Sequence, residues 1–276
     1  MNTPDVHSEA WIRRFHPADG RPVRLVCLPH AGGTASYFFP LSQRLADTAD
    51  VLAVQYPGRQ DRRREPPLES AQELATAIHT ALRPYDDLPL VLFGHSMGAV
   101  LAFELARAME RAGAGPLGLI VSGRRSAALT SADKVHTRGD AALLQEIRVL
   151  SGTDPGLLQD EEILSMVLPA LRADFKAIET YAYRPDDDRA GAPLRCPVSV
   201  LTGVADPRVS LEQAMAWREL TTGEFSFASF PGGHFYLADQ QDQVAEAITG
   251  SIRSFTEARI HGPASAEGPT HVSVDA

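Results

Sequence analysis

The pentapeptide Gly94-His95-Ser96-Met97-Gly98 limits what this chain can fold into more than any other stretch. It matches the pattern G-x-S-x-G. Ahead of it stands Leu90-Val91-Leu92-Phe93, a continuous apolar run of the kind a strand buried on both faces shows. Behind it Met97, Leu101, Leu105 and Ala108 form one stripe of a helix, which Gly113 and Gly115 end. A chain that passes from buried strand to helix this quickly must turn sharply. The turn holds Ser96 in a strained conformation with its hydroxyl exposed. Gly94 and Gly98 lack Cβ atoms, so neighbouring backbone can pack against the bend. Five residues of this pattern occur by chance; the strand–turn–helix context marks Ser96 as a nucleophile.

The flanking sequence extends the same logic. Short apolar runs alternate with amphipathic stretches, the signature of an α/β fold with a mostly parallel sheet covered by helices. Strands are expected at Val23 to Leu28, Val51 to Val54, Leu90 to Phe93, Leu119 to Val121, Val198 to Leu201 and around Phe225 to Phe230, with an edge strand at Trp11 to Phe15. Helices are expected at Ala71 to Leu82, after Ser96, and at Val244 to Phe255. Residues from about 124 to 190 break the alternation. Two apolar stripes, Leu143 to Leu150 and Leu164 to Ala182, suggest consecutive helices with no strand between, the second kinked at Pro169. Either they are an insertion, or they are two crossover helices around an unseen strand. A polar return loop is expected from Pro185 to Pro193. One domain is expected over 1–260, and a disordered tail over 261–276, where Pro, Ala, Ser, Gly and acids follow no period.

Composition excludes several classes. Twenty-six basic against 35 acidic residues give a net charge of −9, which argues against an unaided nucleic-acid or anionic-membrane binder. Two cysteines, Cys27 and Cys196, are too few for a disulfide scaffold or a Cys-rich zinc site. No unbroken apolar run is long enough to span a membrane, and no signal peptide is legible, so a cytoplasmic protein is expected.

A serine hydroxyl needs a base to become a nucleophile at neutral pH. In this fold the partners follow in chain order, acid first and then histidine. Of nine histidines, His7, His16, His261 and His271 lie in terminal segments; His79 sits in a surface-type helix and His136 in the insertion. His30 and His95 come too early. His234, in the loop Pro231-Gly232-Gly233-His234-Phe235 between the last strand and the last helix, is the expected base; otherwise it is a loop histidine with no partner. The expected acid is Asp206, in Gly203-Val204-Ala205-Asp206-Pro207 after the strand at Val198 to Leu201. Asp186, Asp187 and Asp188 are the rivals, in a polar loop before that strand. A tetrahedral oxyanion needs two donors. The N–H of Met97, directly after the nucleophile, is one. The other is expected from Pro29-His30-Ala31-Gly32-Gly33: Ala31, with Gly32 as the fallback. This segment could also be a plain turn, and His30 is read as bracing it.

The chain resembles the type II, stand-alone thioesterases that accompany polyketide synthases and nonribosomal peptide synthetases. The likeness rests on Leu28-Pro29-His30-Ala31-Gly32-Gly33, Tyr56-Pro57-Gly58-Arg59-Gln60-Asp61-Arg62, Gly94-His95-Ser96-Met97-Gly98, Val121-Ser122-Gly123-Arg124, Gly152-Thr153-Asp154-Pro155, Leu168-Pro169-Ala170-Leu171-Arg172-Ala173-Asp174-Phe175 and Pro231-Gly232-Gly233-His234-Phe235-Tyr236. It runs from about residue 12 to 256. The resemblance implies an α/β-hydrolase fold with a helical lid in place of the insertion. It implies as substrate an acyl group held as a thioester on the phosphopantetheine arm of an acyl or peptidyl carrier protein. It implies no metal and no organic cofactor.

Carrier proteins are generally acidic and this chain is net negative, so docking needs a local basic patch. Arg59, Arg62, Arg63 and Arg64 form one candidate, and Arg124 and Arg125 follow another strand. Alternatively the first four belong to a solvated loop, paired with Asp61 and Glu65. The apolar face from Leu164 to Ala182 either lines an acyl channel or packs on the core. A general carboxylesterase or lipase, and a catalytically silent synthase-binding scaffold, are the competing functions. A monomer is expected.

Overall fold

Side chains along the central strands point alternately to two sides, and each side has its own core. Val26, Leu28 and Leu92 pack in one; Leu25, Cys27, Val91 and Phe93 pack in the other. Such two-sided burial requires helices on both faces, because each fully buried Leu, Val or Phe contributes roughly 1.5–3 kcal/mol only when covered. The computed structural model describes residues 6–130, 133–151, 161–185 and 193–261.

Seven strands, β1 (Ile12–Arg13), β2 (Arg24–Leu28), β3 (Asp50–Val54), β4 (Leu90–His95), β5 (Gly118–Ser122), β6 (Val198–Gly203) and β7 (Phe225–Phe230), form one sheet. Their order is β1-β3-β2-β4-β5-β6-β7. Every neighbouring pair is parallel except β1 with β3. The helices are α1 (Val6–Trp11), α2 (Phe39–Leu45), α3 (Ala71–Ala81), α4 (Met97–Arg111), α5 (Asp140–Ser151), α6 (Glu161–Glu179), α7 (Leu211–Met215), α8 (Tyr236–Asp239) and α9 (Gln241–His261). Leu74 and Ile78 of α3 and Leu101, Phe103 and Leu105 of α4 cover one face. Leu41 and Leu45 of α2 and Val244, Ile248 and Ile252 of α9 cover the other.

The expected edge strand shrinks to Ile12–Arg13. Trp11 closes α1 instead, and the chain leaves the ladder before Pro17, whose nitrogen has no hydrogen to donate. Between β5 and β6 stand α5 and α6, with no strand among the described residues. Helix α6 runs unbroken through Pro169. Val135, Leu143, Leu171 and Phe175 give these helices a small core of their own. Gly152 to Pro155, Asp186 to Asp188 and residues 262–276 lie outside the described residues. No helix among the described residues is long and apolar enough to cross a membrane.

The strand order places β2 between β3 and β4, so the loops leaving β2 and β4 diverge. That opens a crevice at the carboxyl ends of the strands, where α/β proteins bind ligands.

Candidate active site

The bend after β4 is tight. Ser96 has φ 55° and ψ −114°, in the left-handed half of the map that a residue with a Cβ seldom occupies. Its N–H donates to the Ser122 carbonyl at 2.8 Å, which ties the bend to β5. A Cβ on Gly94 would lie 2.0 Å from the Gly98 carbonyl oxygen, and one on Gly98 would lie 2.0 Å from that of Leu28. Only glycine fits either position. The result puts Ser96 at the N-terminus of α4, lining a cavity of about 240 Å³ that His234, Met97 and Ala31 also line.

Asp206, in the turn after β6, and His234, in the loop after β7, meet directly. The imidazole Nδ1 lies 2.7 Å from Asp206 Oδ2, and both side chains are buried. Asp206 Oδ1 accepts the Arg208 N–H at 2.9 Å, which fixes the carboxylate from its other side. A carboxylate on Nδ1 selects the tautomer with hydrogen there and leaves Nε2 its lone pair. His234 Nε2 is buried with no hydrogen-bond partner among the described residues.

Behind this ring lie two more histidines. His95 Nδ1 is 2.9 Å from Ser122 Oγ, which is in turn 2.7 Å from the Tyr236 hydroxyl. The rings of His95 and His234 are 5.1 Å apart. His30 packs edge-on against Tyr37 and Phe235, with centroids 4.6 and 4.7 Å away, as expected of a bracing residue. Burial, followed by repulsion from His234, pushes His30 down to about 3 and His95 well below the usual imidazole range. Both are neutral at physiological pH.

The loop after β2 has its N–H groups sorted. Gly33 donates to the His30 carbonyl at 2.9 Å, and Gly32 donates to Asp174 Oδ2 at 2.7 Å. The fallback donor is therefore already engaged. The N–H groups of Ala31 and Met97 have no partner among the described residues. Asp174 comes from α6 and is fully buried. It forms a two-pronged pair with Arg59, Nη1 to Oδ2 at 2.7 Å and Nη2 to Oδ1 at 2.8 Å. Arg59 Nη1 also donates to the Gly33 carbonyl at 3.1 Å. One carboxylate thus ties α6, the segment after β3 and the loop beside Ser96 into a single knot.

This corrects the reading of the basic segment. Arg59 is buried against Asp174. Arg62 is buried too, its guanidinium 4.3 Å from the Trp11 ring centre and its Nη2 2.5 Å from Glu65. Neither can present its charge to a macromolecule, because each is packed and neutralised inside the fold. Arg63 and Arg64 are exposed. Asp61 pairs with Arg13 rather than with a neighbour in its own loop. On α6, Leu164, Leu168 and Ile178 line the cavity while Ala170 and Ala177 are buried. The helix therefore both lines the cavity and packs on the core. Sequence reasoning missed Asp174, although an acid between Leu171 and Phe175 on an apolar helical stripe is a legible signal of a buried pair.

A family model described as a thioesterase domain matches residues 23–252. The chain belongs to the thioesterase family. Thioesterase PikA5 of Streptomyces venezuelae is 50% identical over 264 residues, spanning 94% of this chain and 92% of its own length. The solved structure of the type II thioesterase BorB from the borrelidin biosynthetic cluster is 47% identical, with a TM-score of 0.80 over 90% of this chain and 100% of that one. YbtT, a type II thioesterase from the yersiniabactin NRPS/PKS biosynthetic pathway, is 35% identical, with a TM-score of 0.78 over 90% of this chain and 99% of that one. The thioesterase thus shares with the two solved structures the α/β-hydrolase fold, here a seven-stranded, mostly parallel sheet with flanking helices.

Proposed function

We propose that this thioesterase hydrolyses acyl groups carried as thioesters on the phosphopantetheine arm of acyl or peptidyl carrier proteins in polyketide or nonribosomal peptide biosynthesis. The observation that carries the reading is the pairing of His234 Nδ1 with Asp206 at 2.7 Å, with Nε2 unpartnered in a cavity that Ser96 shares.

Ser96 Oγ attacks the thioester carbonyl carbon and passes its proton to His234 Nε2. The carbonyl oxygen becomes an oxyanion held by the N–H groups of Met97 and Ala31. The C–S bond breaks, and the imidazolium gives its proton to the departing thiolate. An acyl ester on Ser96 remains. Water then attacks that ester, losing its proton to His234, and Ser96 recovers a proton as the acid leaves. Asp206 keeps the tautomer and stabilises each imidazolium. One chain supplies every group, so the reading needs no second copy.

Intact-mass analysis of a panel of acyl-loaded carrier proteins tests the proposal. The parent should strip the acyl mass from some of them, and Ser96→Ala should lower the rate at least 10³-fold, in line with loss of a triad nucleophile. A panel left unchanged by the parent would sink the reading. Which chains are removed separates clearance of aberrant groups from release of a finished product. Relative kcat/KM for acyl-carrier protein against simple esters separates this enzyme from a general esterase.

Of the first four arginines, exposed Arg63 and Arg64 are left to meet an acidic carrier. Reversing both to Glu should weaken turnover of acyl-carrier protein roughly tenfold or more, mainly through KM, and spare a small acyl thioester. Equal loss on both substrates would reject the docking role.

A further inference from the structure

Among the described residues, the charged side chains around the cavity are, with one exception, matched. Arg125 pairs with Asp133 at 3.5 Å, Glu179 with His136 at 2.5 Å, and Arg208 with Glu146. Glu179 is further occupied by the N–H groups of Val135 and His136. Arg124 has no ion pair and no side-chain hydrogen bond among the described residues. It is half-buried and lines the same cavity as Ser96 and His234. Its position is built. The backbone arrives through Gly123 at φ +57°, and the Arg124 carbonyl accepts the Trp217 indole N–H at 2.9 Å. Burial, with repulsion from Arg125, lowers its guanidinium to about 10, more than Asp133, Tyr181 and Glu179 restore through space.

A cation drawn part-way out of water without a partner is costly, and the cost is recovered when a ligand brings the acceptor. The lid side of the cavity is apolar, with Leu164, Leu168, Leu171 and Phe175 along it. An acyl chain lying there meets hydrocarbon and one planar set of free N–H donors. Such a fork suits a carboxylate, keto or hydroxyl oxygen. A saturated chain would leave the donors unsatisfied, and a site built to hydrogen-bond a substituent discriminates strongly against the analogue that lacks it.

We propose that Arg124 is a specificity-determining residue that binds an oxygen substituent on the acyl chain, so that this thioesterase selects oxygenated acyl groups over saturated ones. The proposal deepens the thioesterase reading and rests on it. The phosphate of the pantetheine arm offers the same acceptor chemistry, and the test separates the two sources.

The experiment compares kcat/KM of the parent, R124M and R124K on N-acetylcysteamine thioesters that carry no phosphate: hexanoyl, 3-oxohexanoyl, 5-oxohexanoyl and malonyl. Ratios of variant to parent cancel the intrinsic reactivity of each ester. R124M should lose at least tenfold on one or more oxygenated chains while hexanoyl stays within twofold, and R124K should recover part of the loss. The same factor on all four, or no change on any, overturns the proposal. A loss that appears only with the matching coenzyme A thioesters, whatever the acyl chain, assigns Arg124 to phosphate and overturns it as well. The parent alone supplies a check that needs no folded variant: 3-hydroxybutyrate should inhibit at least tenfold more tightly than butyrate, and equal inhibition overturns the idea. Should the parent cleave no thioester while folded, the thioesterase reading itself fails. Should it cleave hexanoyl well with ratios unmoved by R124M, only this inference fails.

Discussion

Gly123 shows how little room the catalytic neighbourhood leaves for change. It follows β5, sits at φ +57°, and separates two imidazoles. A Cβ there would lie 2.7 Å from His95 Cε1 and 3.6 Å from His234 Cε1. Gly123→Ala therefore adds about 1–2 kcal/mol of backbone cost in the left-handed region and pushes His95 towards the proposed base. Its kcat should fall ten- to a hundredfold with KM within threefold, since the change misplaces a ring rather than the acyl chain. Steady-state kinetics beside urea unfolding would check both parts. An unchanged kcat in a destabilised protein would mean that the His95–His234 spacing does not matter to turnover.

Among the elements, the decisive contact is between α6 and the loop after β2. The Arg59–Asp174 pair is buried, and Asp174 also takes the Gly32 N–H. Asp174→Ala leaves a guanidinium unpaired inside the fold and should cost about 3–5 kcal/mol. Replacing both partners by apolar residues, R59M with D174L, should restore most of that stability, because a buried pair and a packed apolar pair are often close in free energy. It should not restore kcat, since the loop beside Ser96 has still lost its pin. Urea melts and kcat for the parent, single and double variants test the claim; a double variant with parental kcat would show that the loop holds itself. The same contact explains what could be read in advance. Periodicity located β4, α4 and the carboxyl-end loops, and chain order with loop context singled out Ser96, Asp206 and His234 as the groups to look for, because each depends on residues close in sequence. Arg59 and Asp174 are 115 positions apart. Nothing local distinguishes a buried arginine such as Arg59 or Arg62 from exposed Arg63 and Arg64 in the same segment, and burial is decided by a partner contributed from elsewhere.

For the molecule as a whole, the buried histidines set how stability follows pH. His30 is held near 3 in the folded state, against about 6.5 when exposed, by burial and then by repulsion from His234 and Arg59. Between those values the unfolded chain binds a proton at this site and the folded chain does not. The derivative of unfolding free energy with pH is then positive, so stability falls as pH falls through that window. From pH 7 to pH 5 His30 alone accounts for about 2 kcal/mol of loss, and His95, shifted in the same direction, adds to it. Carboxylates held low by arginines, such as Glu65 beside Arg62 and Asp87 beside Arg24, lose their contribution only at lower pH, below the ordinary carboxylate range. The early part of acid destabilisation therefore belongs to imidazoles. H30F keeps an aromatic ring against Tyr37 and Phe235 but cannot take up the proton, so its stability should decline about 2 kcal/mol less than the parent's over that interval. Urea unfolding at pH 7, 6 and 5 measures the difference, and parallel slopes for the two proteins would show that His30 is protonated as easily folded as unfolded.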